Sequence, residues 1–232
     1  MRYRKLSVII PVYNERETLP KVLQRVQEVE IGIEKEVVIV DDASTDGTRE
    51  LLQELEKAAP PNVRIAYHPR NRGKGAALRT GFALASGDLI LVQDADLEYD
   101  PADYPRLLEP IQSGEAEVVY GSRFLTGRQT VWIHYLGNRA LTLLSNCVNG
   151  LRLTDMETCY KLIPTELLRS IPLRSDRFGF EPEITAKLAR RGARIVEVPI
   201  RYQPRSWKQG KKIGWKDAFA TVGQILRYRF WD

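Results

Sequence analysis

Short apolar segments alternate with amphipathic segments through the first half of the chain. Four apolar runs have the length and β-branched content of buried strands, and they are 6–12, 36–40, 63–67 and 89–92. Between successive runs lie apolar residues at helical spacing, such as Leu19, Val22 and Leu23. This repeated alternation predicts an α/β fold with a mostly parallel sheet covered by helices on both faces.

The alternation becomes less regular after Pro101. The pattern predicts helices at 104–111, 132–153, 182–191 and 214–231, with strands at 118–120 and 194–202. The segments 132–153 and 214–231 carry aromatic and basic residues beside an apolar stripe, which suits packing on a core and equally suits a membrane surface. No repeat or linker is evident, so we predict a single domain over 1–232 with halves at 1–120 and 121–232.

The composition indicates an ordinary globular protein but does not by itself indicate a function. The 232 residues are 43% hydrophobic and 28% charged, as in ordinary globular proteins. We expect a cytoplasmic protein, because no apolar run approaches the ~20 residues of a membrane span and no signal peptide is recognisable. The cysteines Cys147 and Cys159 are then expected to be free thiols. Basic residues concentrate in 201–216 without a stripe of interleaved stacking aromatics, which argues against nucleic acid as the partner.

Three carboxylates follow the apolar run 89–92. Asp94, Asp96 and Glu98 alternate with other residues, and residues two apart in an extended chain point the same way, so these side chains could converge. Converging like charges need a cation among them, and Mg²⁺ or Mn²⁺ suits oxygen ligands. Because Mg²⁺ usually keeps one or two carboxylates and fills its shell with water and phosphate, a diphosphate is the expected partner. Asp-x-Asp also fits a turn or a helix cap, but open α/β sheets bind ligands where this copy lies.

Two further polar segments are weaker indications of a site. The glycine loop 71–75 has neither Walker nor dinucleotide-binding spacing. It indicates a tight turn opening a helix, although its backbone amides could still reach a nucleotide. Asp41 and Asp42 end the second strand, where a carboxylate can accept hydrogen bonds from a base or a ribose or can cap the next helix.

Four blocks occur in a characteristic order, and two later blocks extend the pattern. They are PVYNE at 11–15, VDDASTDG at 40–47, NRGKGAA at 71–77 and DAD at 94–96, followed by GSR at 121–123 and TDMETCYK at 154–161. This arrangement resembles the inverting glycosyltransferase family two, which has the GT-A fold. Within it, the later blocks resemble the branch of dolichol-phosphate mannose synthases and bacterial polyprenyl-phosphate hexosyltransferases. The likeness covers nearly the whole chain, ending in 205–214.

The resemblance implies roles for individual residues. The nucleoside would be held by Pro11, Tyr13, Glu15, Val40 and Asp42. Asp94 and Asp96 would meet the metal and the diphosphate, with Ala95 beside them and Glu98 as a further ligand. Related synthases often have glutamine in place of Glu98, so its added charge leaves the choice between Mg²⁺ and Mn²⁺ open. The cations expected to contact phosphate are Arg123, Arg205 and Lys211.

The implied reaction moves mannose or glucose from a GDP- or UDP-sugar to a polyprenyl or dolichyl phosphate. Residues 1–120 would then bind the nucleotide sugar, and residues 121–232 would bind the acceptor. A phosphate monoester has a second pKa of about 6, so this nucleophile is already an anion and needs no strong general base. Arg139 is the candidate ligand for the acceptor phosphate. Asp155 is the candidate base if the acceptor is instead a hydroxyl, as in polysaccharide or glycolipid synthesis.

Three expectations complete the sequence-based prediction. The two amphipathic segments and the basic residues at 208–216 predict weak, reversible contact with the cytoplasmic face of a membrane, with room for a membrane partner subunit. His68 and His134 match no catalytic pairing and are interpreted as structural. A non-catalytic protein that binds nucleotide sugars is the alternative from another class, and the intact Asp94-Ala95-Asp96 argues against it.

Overall fold

The computed structural model describes residues 2–125, 132–177, 179–205 and 215–231. Its strands are β1 (Lys5–Val12), β2 (Glu34–Asp41), β3 (Val63–Tyr67), β4 (Leu89–Val92), β5 (Val118–Ser122), β6 (Lys161–Pro164) and β7 (Ile195–Pro199). Its α-helices are α1 (Leu19–Glu28), α2 (Thr48–Ala58), α3 (Lys74–Leu84), α4 (Tyr104–Gln112), α5 (Trp132–Asn149), α6 (Thr165–Arg169), α7 (Phe180–Arg190) and α8 (Trp215–Phe230).

The strands form one sheet in the order β3-β2-β1-β4-β6-β5-β7. Within this sheet β6 runs antiparallel to both of its neighbours, and the other pairs are parallel. The central strand β4 is apolar throughout and all four of its residues are buried, as expected for a strand that is shielded on both faces of the sheet. The mostly parallel α/β sheet predicted from the sequence is therefore confirmed.

Strand β6 and helix α6 are absent from the sequence-based prediction. Because β6 is antiparallel to β4, with Leu162 opposite Leu91, its first residue lies at the end of β4 that carries the carboxylates. The loop that precedes β6 therefore lies beside Gln93 and Asp94. Because β6 runs antiparallel to its neighbours, the segment 154–161 that leads into it lies at the carboxyl end of the parallel strands, where α/β sheets bind ligands.

Helix α5 is shorter than predicted, and the face that it buries is polar. It ends at Asn149 rather than at residue 153, because Gly150 takes a left-handed conformation with φ of 70° and closes the helix. Its most buried side chains are polar, namely Thr142, Ser145 and Asn149, whereas Trp132, Leu136 and Leu143 are 60%, 57% and 63% exposed. The polar face is therefore turned inward and an apolar face outward.

Helix α8 packs against α5 and α7. It buries Thr221, Ile225 and Tyr228, which are four and three residues apart on one helix face. Of the apolar residues in the predicted amphipathic segment 214–231, Val222 and Leu226 are half-buried and Phe230 is exposed. No helix in the described ranges is both long enough and apolar enough to span a membrane.

Candidate active site

The two aspartates after β4 each contact a cation. The ammonium of Lys74 lies 2.9 Å from Asp94 Oδ1 and 3.0 Å from Glu181 Oε1. Although burial lowers the pKa of Lys74, the carboxylates of Asp94 and Glu181 outweigh it and hold that pKa well above its ordinary value. Asp96 Oδ2 lies 3.3 Å from Arg205 Nη2. The Asp94 and Asp96 side chains remain 22% and 23% exposed, so both are accessible to a ligand.

A buried amide fixes the backbone of this turn. The side chain of Gln93 is fully buried, and its Oε1 accepts hydrogen bonds from the hydroxyls of Tyr104 (2.8 Å) and Tyr160 (2.7 Å). Its Nε2 donates to the carbonyl of Asp94 at 2.9 Å. Sequence reasoning overlooked Gln93, although a lone amide ending an apolar strand is a signal that could have identified it.

Glu98 does not join the aspartates in a three-carboxylate cluster. Its Oε2 accepts from the Tyr202 hydroxyl at 2.7 Å, and its Oε1 accepts from the Arg205 backbone amide at 2.7 Å. Across the described part of the chain, no group of three or more His, Cys, Asp or Glu side chains is arranged to hold a metal ion. The expected convergence of all three carboxylates is therefore not observed. Glu98 fastens the 202–205 segment to the end of β4.

The remaining pair still fits a hard divalent cation. Asp94 and Asp96 offer carboxylate oxygens, and each already faces a positive charge, Lys74 or Arg205. Mg²⁺ characteristically takes one or two protein carboxylates and completes its shell with water and substrate phosphates. Two aspartates are thus a sufficient protein contribution, and their metal-binding role stays a prediction.

Arg205 joins two predicted site residues that are far apart in sequence. Its Nη2 donates to Glu15 Oε1 at 2.8 Å and its Nη1 to Glu15 Oε2 at 3.1 Å, a bidentate pair. With its contact to Asp96, this arginine links the end of β1 to the turn after β4. Lys211, the other cation predicted in this segment, lies outside the described residues.

Asp42 organises the glycine loop. Its Oδ1 accepts from the Arg72 backbone amide (2.9 Å) and contacts His68 Nδ1 (2.7 Å), and its Oδ2 accepts from the Gly73 amide (2.7 Å). The next amides, of Gly75 and Ala76, donate to carbonyl oxygens of residues 177 and 176. The amides of Arg72, Gly73 and Gly75 are thus used within the protein, which supports the tight-turn interpretation over backbone contacts to a nucleotide.

The other residues predicted to hold the nucleoside differ in accessibility. Tyr13 is partly exposed, and Pro11 is half-buried. Val40 and Ala95 are buried in the core, so contact with a ligand there would involve the backbone. His68 is buried between Asp42 and the Thr80 hydroxyl, 2.9 Å from its Nε2, which agrees with a structural role. The side chain of His134 lies outside the described part.

A buried ion pair joins the end of β5 to the 154–161 segment. Arg123 donates to Asp155 from Nε and from Nη2 at 2.7 Å each, and its backbone amide donates to the same carboxylate at 3.0 Å. Burial alone would lower the pKa of Arg123, but the Asp155 carboxylate holds it well above its ordinary value. Asp155 thus has both oxygens engaged. The adjacent Arg139 is exposed and donates from Nη1 to the Thr154 carbonyl at 2.9 Å.

Glu197 on β7 positions this ion pair. Its carboxylate oxygens accept hydrogen bonds from the backbone amides of Thr154 (2.6 Å) and Asp155 (2.9 Å). These bonds fix the backbone that presents the Asp155 carboxylate to Arg123. Arg123, predicted to contact phosphate, and Arg139 and Asp155, predicted to act on the acceptor, are thus brought together around the 154–161 segment.

The cavities found elsewhere carry none of this chemistry. One of about 430 Å³ lies beside β3 and is lined by Glu56, Ala59, Pro60, Val63, Arg64, Ile65 and Leu84. It includes no predicted site residue and no convergent set of charged groups. The charged residues at the ends of β1, β2 and β4, together with the 154–161 segment, therefore remain the candidate active site.

Comparison with known proteins identifies the family. The sequence model of glycosyl transferase family 2 matches residues 7–171. An undecaprenyl-phosphate mannosyltransferase of Micrococcus luteus is 36% identical, covering 90% of this chain and 88% of that protein. A polyprenol monophosphomannose synthase of Mycolicibacterium smegmatis is 33% identical over 91% of this chain and 82% of its own length. A dolichol-phosphate mannosyltransferase of Pyrococcus furiosus is 32% identical over 98% of this chain, which spans 64% of that protein.

Solved structures show the same fold. Mannosyl-3-phosphoglycerate synthase from Rubrobacter xylanophilus superposes with a TM-score of 0.75 at 18% identity, covering 97% of this chain and 72% of that one. Glucosyl-3-phosphoglycerate synthase from Mycobacterium tuberculosis, solved with Mn²⁺, UDP and phosphoglyceric acid, gives 0.72 at 22% identity, covering 97% and 77%. The fold is therefore GT-A, and the chain belongs to glycosyl transferase family 2 as a glycosyltransferase.

Proposed function

We propose that this enzyme transfers a hexose, mannose foremost, from a nucleotide sugar to a polyprenyl phosphate with inversion at the anomeric carbon. The observation that carries the choice of acceptor is the bidentate pair of Arg123 and Asp155. Because both oxygens of Asp155 are engaged, that carboxylate is poorly placed to deprotonate a hydroxyl. The exposed guanidinium of Arg139 beside this pair presents positive charge, which suits an acceptor that is already an anion.

The donor side is assigned to the aspartate pair. A divalent cation held by Asp94 and Asp96 would neutralise charge on the departing nucleoside diphosphate as a Lewis acid. Lys74 and Arg205, which now contact these carboxylates, are placed to face the phosphate oxygens as well. Glu15 and Asp42 lie at the ends of neighbouring strands, where they could orient the nucleoside.

The acceptor and sugar are further supported by the relatives. The three relatives are named for mannose transfer, to undecaprenyl phosphate in one, to dolichol phosphate in another and to a polyprenol in the third. A phosphate monoester needs alignment and charge screening rather than a strong base, since its second pKa is about 6. In this chain Arg139 and Arg123 would supply both.

The outward apolar face of α5 supports contact with a membrane. Trp132, Leu136 and Leu143 are exposed on a helix whose buried face is polar, and Arg139 lies on the same helix. Exposed Phe230 and Trp231 end the neighbouring α8 after Arg227 and Arg229. Aromatic, aliphatic and basic side chains in this combination suit the interface of an anionic bilayer.

Flotation with anionic phosphatidylglycerol vesicles tests this membrane contact. We expect weak co-flotation at low salt that Leu143→Glu reduces, because the substitution places a charge on the apolar face. Leu84→Glu is the matched control, since Leu84 is partly exposed at the end of α3 on another part of the surface. Absence of co-flotation at low salt, or equal loss in both variants, would contradict membrane contact through α5.

The experiment for the reaction is nucleotide release with Mg²⁺ or Mn²⁺. A panel of GDP- and UDP-sugars is tested with and without a short polyprenyl phosphate. We expect release that requires the lipid, fastest with GDP-mannose or another mannosyl donor, and a product stable to phosphatase. Arg139→Ala should raise the KM for the lipid more than the KM for the donor. Release with a hydroxyl acceptor but none with the lipid would instead support polysaccharide or glycolipid synthesis.

A further inference from the structure

The 154–161 segment contains buried polar atoms that the protein does not satisfy. Oε1 of Glu157 and Oγ1 of the fully buried Thr158 are shielded from solvent and have no hydrogen-bond partner among the described residues. Burying such atoms without a partner is unfavourable, and folded proteins rarely retain them without a functional reason. Two adjacent residues with this property indicate a place where a polar ligand completes the structure.

The charges that act on Glu157 come from both sides of the active site. Arg123 and Asp155 belong to the acceptor side, and Glu181 belongs to the donor side through its ion pair with Lys74. Burial, followed by the effect of Glu181, raises the pKa of the Glu157 carboxyl to about 7. The remaining neighbour is Lys161, whose ammonium is fixed by the backbone carbonyls of Met156 (2.8 Å) and Thr158.

In a direct displacement, the positions of the nucleophile and the leaving group determine where the hexose lies. The acceptor phosphate attacks the anomeric carbon on the face opposite the departing diphosphate, so the hexose occupies the space between nucleophile and leaving group. In this chain the nucleophile is assigned to Arg123 and Arg139, and the leaving group to Asp94 and Asp96. Glu157 follows Asp155, the partner of Arg123, by two residues, and the carboxylate of Glu181, whose partner Lys74 also pairs with Asp94, acts on it from the other side.

We propose that Glu157 and Thr158 bind hydroxyl groups of the donor hexose and determine which sugar the enzyme accepts. This inference rests on the proposed function and deepens it. A sugar hydroxyl both donates and accepts, which matches a carboxyl oxygen beside a threonine hydroxyl. A site built to hydrogen-bond a hydroxyl discriminates strongly against an analogue that lacks it, because its own buried groups are then unpaired.

Equilibrium binding tests the inference without requiring turnover. Calorimetry with Mg²⁺ compares GDP-mannose with GDP, and UDP-glucose with UDP, for the wild type, Glu157→Gln and Thr158→Val. In the wild type we expect at least one nucleotide sugar to bind more tightly than its free nucleotide. Glu157→Gln should weaken the binding of that sugar nucleotide about tenfold or more while leaving the affinity for the free nucleotide unchanged. Glu54→Gln, on the exposed face of α2, is the matched control and should change neither affinity.

Deoxygenated donors locate the contact. A donor lacking the bound hydroxyl should bind the wild type about tenfold more weakly and should show no further loss with the corresponding variant. An equal hexose contribution in the wild type and both variants, or no hexose contribution in the wild type, would overturn the inference. Failure of the wild type to transfer any hexose to lipid would overturn the proposed function instead, since the binding measurement does not depend on transfer.

Discussion

The donor side, at the ends of β2 and β4, differs from the 154–161 segment in how many of its polar groups already have a partner within the protein. Asp42 accepts two backbone hydrogen bonds and contacts His68, and Asp94 has the ammonium of Lys74. In the 154–161 segment, Asp155 is equally well paired, yet the neighbouring Glu157 and Thr158 each leave a buried oxygen without a described partner. The carboxylates of the donor side are therefore paired before a ligand binds, whereas Glu157 and Thr158 each keep an oxygen to which a ligand could hydrogen-bond.

This difference has an energetic consequence for binding. On the donor side, the proposed ligand would exchange existing contacts, such as that of Lys74 with Asp94, for contacts with its phosphate groups and a metal ion. Little electrostatic stabilisation would be lost in this exchange, because the cations that leave the carboxylates would face the phosphate oxygens of the proposed diphosphate. At Glu157 and Thr158 the two unpartnered oxygens have no hydrogen bond to lose, so a hydrogen bond that a ligand forms there favours the bound state.

The largest expected effect follows from removing a donor-side carboxylate. Asp96→Asn should lower the rate of hexose transfer about 100- to 1000-fold, because the charge that would hold a divalent cation beside the diphosphate is lost. Steady-state transfer at saturating Mg²⁺ measures the effect, and circular dichroism checks the fold. Glu109→Gln, an exposed substitution on α4, is the control. Transfer at the wild-type rate by Asp96→Asn would remove this aspartate from the predicted metal site.

The next effect concerns the buried ion pair. Arg123→Ala should lower the free energy of unfolding by about 3–5 kcal/mol, because Asp155 is left as a buried charge without its partner. Urea denaturation measures it, and a double variant in which Asp155 is also replaced by asparagine should recover part of the loss. Arg139→Ala, which removes an exposed arginine, should change stability by less than about 0.5 kcal/mol. Equal effects of the two arginine substitutions would contradict a stabilising role for the pair.

Much of the fold could be predicted because the strands of its parallel half are visible as local patterns of apolar residues. The first four strands are short apolar runs, and the aspartates follow one of them directly, so both the parallel sheet and its carboxylates were accessible from sequence. Strand β6 begins with Lys161, which reads as polar, although this lysine is buried with its ammonium on backbone carbonyls. Its pairing between β4 and β5 is a tertiary feature that no local period encodes.

The site was harder to predict because its contacts are long-range. Arg205 and Glu15 are 190 residues apart in sequence and form a bidentate pair in the structure. The surroundings of Glu98 likewise depend on Tyr202 and Arg205, whose hydrogen bonds to its carboxylate could not be predicted from the Asp-x-Asp-x-Glu pattern. On α5 the apolar residues were visible, but which helix face is buried depends on partners such as Met156, whose amide donates to Thr142.

A pH-dependent effect separates Glu157 from the paired carboxylates. Its folded-state pKa of about 7 lies above the ordinary value of 4.5, so the protonated carboxyl is favoured on folding. Its contribution to stability is therefore fully present below pH 4.5 and is lost as the pH rises through 7. Glu157→Gln should match the wild type near pH 5 and be more stable at pH 8, by on the order of 1–3 kcal/mol. Urea midpoints at both pH values measure this, and a pH-independent difference would contradict the raised pKa.

The smallest expected effect comes from comparing two buried threonines. Thr158 has an unpartnered hydroxyl, whereas the Thr185 hydroxyl lies 3.0 Å from the Tyr120 hydroxyl and donates to the Glu181 carbonyl at 2.7 Å. Thr158→Val should stabilise the ligand-free protein by about 1 kcal/mol, which raises Tm by roughly 2–4 °C for a chain of this length.

Thr185→Val should do the reverse and lower stability by about 1–3 kcal/mol, because Tyr120 then loses a buried partner. Scanning calorimetry of both variants without ligand makes the measurement. A stabilised Thr158→Val protein that binds the nucleotide sugar more weakly would show that this hydroxyl is kept for the ligand and not for the fold. Destabilisation of both variants to the same extent would show that the Thr158 hydroxyl has a partner within the protein, and the contrast between the two regions would then rest on Glu157.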